Sequence, residues 1–215
     1  MTDAQDYAHR LDGDADDAAT LIKKYSPDSP ATVLGNSSGA IVSLNLLIRY
    51  PDLIRTLIPY EPPASRLLPN YDEIWPMHEE TYKLYREQGP FPAYKNFGKL
   101  TKSNVMSSFR IDYSTPYLFS NMQYWFEREF MTYPNTDFDV ERDFRAHKEK
   151  LMPVYGALSP KDAYQYRAME VLCEKLNLEY VELPGEHIGQ LTHAKDFGNK
   201  LFEVLQARDQ FYAEL

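Results

Sequence analysis

Ser37 stands in the run Gly35-Asn36-Ser37-Ser38-Gly39, a Gly-x-Ser-x-Gly spacing that can present a serine hydroxyl for nucleophilic attack. So short a pattern is weak alone, because an ordinary Gly/Ser turn that binds an anion or nothing has the same composition. Its flanks strengthen it. Residues 31–34 form a short apolar run with β-branched members, and the last glycine is followed by AIVSLNLLIRY, apolar nearly all round and stopped by Pro51. Strand, turn and helix in that order are what a nucleophile elbow needs: the serine occupies a strained turn among small neighbours, and the helix amino terminus favours negative charge.

A serine hydroxyl is a poor nucleophile until a base takes its proton and a third group orients that base. The chain has five histidines. His9, His78 and His147 lie in polar or inserted segments and are expected at the surface, while His193 opens the last helix, where it caps or packs. His187, in the loop Pro184-Gly185-Glu186-His187 after the final predicted strand, has the context of a general base.

The elements that must position these groups alternate in type. Residues 14–25 read as a helix, with Ala18, Leu21, Ile22 and Tyr25 at helical spacing and Ser26-Pro27 ending it. Residues 31–34 give the first strand, 55–60 the second, 151–155 the third and 178–183 the fourth. The second ends in Glu61-Pro62-Pro63, where the prolines forbid further pairing, and the third closes at Gly156. Residues 164–176 and 194–205 read as amphipathic helices. Such alternation implies a parallel sheet joined by right-handed crossovers, with ligands at the carboxyl ends of the strands. Ser37, Glu61, Gly156 and His187 each follow a strand, so they collect on one edge. Residues 64–147 break this rhythm with scattered aromatics, among them Trp75, Phe109, Tyr124, Trp125 and Phe130. They read as an inserted cap, leaving 1–63 and 148–215 as the core; a few cap aromatics are expected to line a pocket, Trp125 and Tyr124 being guesses.

Composition narrows the partners. A 215-residue chain with 43% hydrophobic residues can bury one core and carry a lid. Its net charge of -9, without a Lys/Arg block, argues against nucleic acid or an anionic membrane surface, so a small-molecule substrate is expected. The single cysteine, Cys173, excludes an internal disulfide framework and a Cys-based zinc site, and its position on the apolar stripe of helix 164–176 predicts packing. No stretch approaches the roughly 20 apolar residues that span a bilayer. A cytoplasmic location is the expectation, and no metal or organic cofactor is expected.

Together, VLGNSSGA, TLIPYEPP and LPGEHIGQLTH followed by a terminal helix resemble the α/β-hydrolase superfamily, in the branch with Glu-Pro-Pro after the sixth strand. The resemblance implies a partial α/β-hydrolase fold and the chain order serine, acid, histidine. Many relatives place an aspartate shortly after the seventh strand, but Gly156-Ala157-Leu158-Ser159 has a serine there. Two acids therefore compete. Asp162 lies a little further on, at a helix start where acidic residues are common for capping and dipole reasons. Glu61 occupies an alternative acid position of the superfamily and is preferred, because the following prolines preorganise it.

The resemblance also implies an oxyanion hole made by the backbone amide of Ser38 and a second amide from a loop after the third strand. Nothing before Ser37 offers that loop, so the chain is expected to begin near the helix preceding the fifth strand. Losing one oxyanion donor costs about a hundredfold to a thousandfold in rate. Strand 31–34 then becomes an edge that invites pairing, with a homodimer as one outcome. The expected function is hydrolysis of an ester-like bond in a small apolar molecule by Ser37, His187 and Glu61 or Asp162. A noncatalytic or partner-dependent binding module, and a cofactor-independent lyase or cyclase on the same fold, are the alternatives.

Overall fold

The computed structural model describes residues 9–102 and 115–208. Four parallel strands lie in the order β1 (Ala31–Asn36), β2 (Ile54–Tyr60), β3 (Val154–Gly156) and β4 (Val181–Leu183). From Thr32↔Thr56 to Asn36↔Tyr60 the first pair runs in unbroken register, so Ser37 and Glu61 emerge side by side from neighbouring strands. Among the described residues β1 is an edge, paired to β2 alone, with Leu34 37% exposed.

Side chains of β2 and β3 alternate between two cores. Leu57 and Tyr155 pack with α1 (Arg10–Tyr25), α2 (Ser38–Arg49) and α7 (Tyr164–Leu176); Ile58, Tyr60 and Val154 pack with Phe197 and Leu205 of α8 (Ala194–Ala207). A sheet buried on both faces needs apolar residues at consecutive positions, and IRTLIPY provides them. Helix α2 is buried nearly all round, as its sequence predicts. Cys173 packs in the core on α7, where burial pushes its thiol up to about 11.

Two predicted strands are shorter in the structure. Leu151 makes an isolated bridge to Leu57, and the regular ladder of β3 begins at Val154, because Pro153 brings no N–H to it. Leu178 returns its amide to Cys173 O at the end of α7, 2.9 Å away, so β4 starts later than expected. Helix α1 begins at Arg10 rather than residue 14, an extension supported by the Arg10–Asp14 ion pair.

Between β2 and β3 lie α3 (Tyr71–Gln88), α4 (Pro90–Leu100), α5 (Leu118–Arg128) and the short α6 (Val140–Phe144). Here the surface expectation for His78 is corrected. It is fully buried on the inner face of α3 with Ile74, Thr81 and Tyr85, stacked on Trp75 and edge-on to Tyr164. Burial drives its imidazole down to about 4, so the ring is neutral and packs as an aromatic. Among the described residues no helix is long and apolar enough to cross a membrane.

Candidate active site

The elbow is visible in the backbone. Ser37 joins β1 to α2 with φ 55° and ψ -125°, outside the left-handed basin that non-glycine residues ordinarily tolerate, a strain of about 1–3 kcal/mol. A hydrogen bond from its own N–H to Tyr60 O, 3.0 Å, ties that turn to β2. A Cβ on Gly35 would collide with Gly39 O and Ser43 Oγ, so the first turn of α2 comes closer than any side chain permits. Gly39 differs, since a Cβ there meets nothing within 4 Å. Ser38 opens α2, and its amide belongs to the first turn, whose N–H groups have no intrahelical acceptor.

Glu61 also takes a left-handed turn, φ 45°, which swings its side chain inward at the end of β2. The carboxylate is completely buried. Its Oε1 accepts from Gly156 N–H at 2.9 Å, and its Oε2 lies 2.8 Å from His187 Nδ1. An acceptor on that nitrogen assigns it the proton and leaves Nε2 as the acceptor nitrogen of the neutral ring. Gly156 makes the approach possible: a Cβ would lie 2.6 Å from Ser159 Oγ and 2.7 Å from Glu186 O. Asp162 takes no part in this group. Its side chain is 72% exposed and its carboxylate holds Lys102 Nζ at 2.6 Å, because it stands in the solvent-facing turn leading into α7.

Two residues that the sequence did not single out fix the histidine loop. Asn36 Nδ2 donates to His187 O at 2.8 Å, and Asn36 Oδ1 accepts from Gln190 Nε2 at 3.0 Å. Tyr60 donates its hydroxyl to Glu186 O and accepts Gly189 N–H at 3.3 Å. Burial, reinforced by neighbouring Glu61, raises the Tyr60 phenol, which keeps it a donor. Their neighbours signal both residues: Asn36 sits inside the Gly-x-Ser-x-Gly run and Tyr60 directly precedes Glu61.

Ser37 and Ser38 border a cavity whose other walls include Pro63 of the Glu-Pro-Pro turn, the rings of Phe97, Trp125, Phe130 and Tyr164, and Glu129. Trp125 therefore reaches the cavity, whereas Tyr124 is 40% exposed. Among the described residues no group of three or more His, Cys, Asp or Glu side chains is gathered as a metal would require.

A parallel sheet between helices, with a strained serine turn and a histidine loop on its carboxyl edge, has the fold of the α/β-hydrolase superfamily. Over 203 residues, 92% of its length, the chain is 29% identical to the uncharacterized hydrolase YraK of Bacillus subtilis (strain 168), of which it covers 71%. It is similar in structure to MGS-M2, an α/β-hydrolase enzyme from a Medee basin deep-sea metagenome library, with TM-score 0.63, 16% identity, and 93% and 72% of the two chains covered. A structure described with carboxylesterases of the ammonia-oxidizing thaumarchaeon Nitrososphaera gargenis gives TM-score 0.61 at 15% identity, with 92% and 72% covered. No family model matches the chain.

Proposed function

We propose that the chain is a serine hydrolase acting on an ester-like bond of a small, largely apolar molecule. The observation that carries this reading is the 2.8 Å contact between His187 Nδ1 and Oε2 of the completely buried Glu61, beside a serine held in a strained turn. Ser37 Oγ attacks the acyl carbon as His187 Nε2 takes its proton. The oxyanion of the tetrahedral intermediate accepts a hydrogen bond from Ser38 N–H. Collapse breaks the bond to the leaving alcohol, which takes the proton from His187, and water then repeats the sequence to release the acid and restore Ser37. Glu61 holds the imidazole in one orientation and offsets the charge it gains. The helices within residues 64–147 serve as a cap whose aromatic side chains shape the substrate cavity.

The hydrolase names of YraK and of the carboxylesterases support the reaction class. Treatment with a fluorophosphonate is the test. A covalent adduct at Ser37, with Ser37→Ala abolishing both the adduct and hydrolysis of activated esters, is the expected result. A folded chain that takes no label, or a Ser37→Ala variant with full esterase activity, overturns the proposal, the former in favour of a noncatalytic binding module.

A further inference from the structure

The cavity beside Ser37 has an unusual lining for a site that takes an apolar molecule. Phe97, Trp125 and Phe130 meet one another at steep angles: Phe97 and Trp125 with centroids 5.0 Å apart at 69°, Trp125 and Phe130 at 5.1 Å and 70°, Phe97 and Phe130 at 5.6 Å and 80°. Three planes crossing near right angles form a rigid corner, each ring braced by the other two. Among the described residues, one carboxylate reaches the same cavity. Glu129 follows α5 directly, one turn after Trp125, and its N–H bonds to Trp125 O at 3.0 Å, so the acid and the indole are placed together.

Among the described residues lining this cavity, Glu129 is the one with a formal charge. Burial pushes its carboxyl up, the neighbouring Asp14 adds to that, and Arg10 opposes it. Arg10 is itself ion-paired with Asp14, which also accepts the Tyr133 hydroxyl. A carboxylate set against aromatic rings is costly unless the cavity's occupant compensates it. The rings point to the same occupant, because their quadrupoles attract a cation over the ring face. The cavity volume of about 50 Å³ admits a compact group rather than a long chain.

We propose that this cavity selects substrates carrying a compact organic cation, an alkylammonium or quaternary ammonium group, seated against Phe97, Trp125 and Phe130 with Glu129 as its counter-charge. The inference deepens the serine-hydrolase reading and rests on it for turnover. Recognition of the cation itself does not depend on Ser37.

The experiment separates the two. A Ser37→Ala, Trp75→Phe chain leaves Trp125 as the one tryptophan of the sequence, and its fluorescence reports titration with tetramethylammonium or with neopentyl alcohol, a neutral compound of similar shape, at constant ionic strength. Tetramethylammonium is expected to bind about tenfold more tightly than the alcohol. Glu129→Gln is expected to lower that ratio about tenfold, and Phe97→Leu to lower it less. Circular dichroism and thermal melting confirm folding, and Glu129→Leu, which also removes the charge, replaces Glu129→Gln if the latter unfolds. Equal affinities for the two compounds, or an unchanged ratio in the Glu129 variant, overturn the proposal. With Ser37 intact, a choline ester and its 3,3-dimethylbutyl carbon analogue are then compared. Cation binding without turnover of either ester sinks the hydrolase reading alone, and Ser37-dependent turnover without cation preference sinks this inference alone.

Discussion

Two carboxylates follow strands of the same sheet and meet opposite fates. Glu61, after β2, is completely buried with Oε1 on Gly156 N–H and Oε2 on His187. Asp162, beyond the end of β3, is largely in solvent and holds Lys102. Both are near enough in sequence to a strand end to be candidates, so what separates them is the backbone. The left-handed turn at Glu61 points its side chain under the histidine loop, where water neither competes for the imidazole nor screens the interaction. A solvated ion pair has neither advantage. Proximity to the carboxyl edge of the sheet therefore makes an acid available, and burial with two fixed donors holds it against the imidazole.

The strongest way to break this comparison is Glu61→Gln. The amide keeps the shape and removes the charge, and it offers His187 the choice of a donor or an acceptor, so the ring is no longer held in one tautomer. By analogy with the corresponding substitution in serine proteases, kcat on a Ser37-dependent ester is expected to fall about 10⁴-fold. Activity within tenfold of the parent chain would remove Glu61 from the role that sets it apart from Asp162.

Burial separates the histidines in the same way, and a pH series sharpens the point. His78 is held down to about 4, chiefly by burial, from an ordinary 6.5. Between those values the unfolded chain binds more protons than the folded one, so the His78 contribution is complete above about pH 6.5 and is lost as pH falls toward 4. The full loss is on the order of 3 kcal/mol. Urea unfolding followed from pH 7.5 downward should show this acid limb, and His78→Phe should flatten it. An equally steep limb in the variant would assign the effect to other groups.

The two glycines of the elbow offer a smaller contrast. Gly35→Ala forces a methyl against Gly39 O and Ser43 Oγ, whereas Gly39→Ala meets open space. The first should cost about 1–3 kcal/mol of stability as overpacking, and the second should cost little, since alanine is the better helix former. Comparable losses in thermal unfolding would mean that α2 shifts as a whole.

How much of this was legible in the sequence follows from how local each signal is. Helix α7 occupies the predicted residues 164–176, because its apolar period lies entirely within one element. Ser37, His187 and the two acids are legible as candidates from their places after strands. The choice between the acids is not, because the turn angle at Glu61 and the approach of Gly156 N–H are set by tertiary packing. His78 is misread for the same reason: its surroundings in sequence are polar, while its neighbours in space are Trp75, Phe130 and Tyr164. The Pro153 interruption of β3 was visible as a residue but not as a loss of ladder, since the chain on either side is apolar. Glu129 gives no signal at all, being one acid in a stretch of mixed charge.

The smallest predicted effect closes the comparison from the other side. Lys102 draws the Asp162 carboxyl below its ordinary range by hydrogen bonding and charge, so Asp162 remains ionised at neutral pH and Asp162→Asn changes a real charge. That charge faces solvent and is already held by Lys102, and salt damps the field of an exposed charge. Asp162→Asn should therefore leave kcat/KM within twofold, with the pH profile of kcat/KM unmoved. Combined with Glu61→Gln it should add nothing to the loss from Glu61→Gln alone. If instead the double variant falls further by tenfold or more, Asp162 supports the imidazole when Glu61 cannot, and the loop after β3 moves during turnover to bring it there.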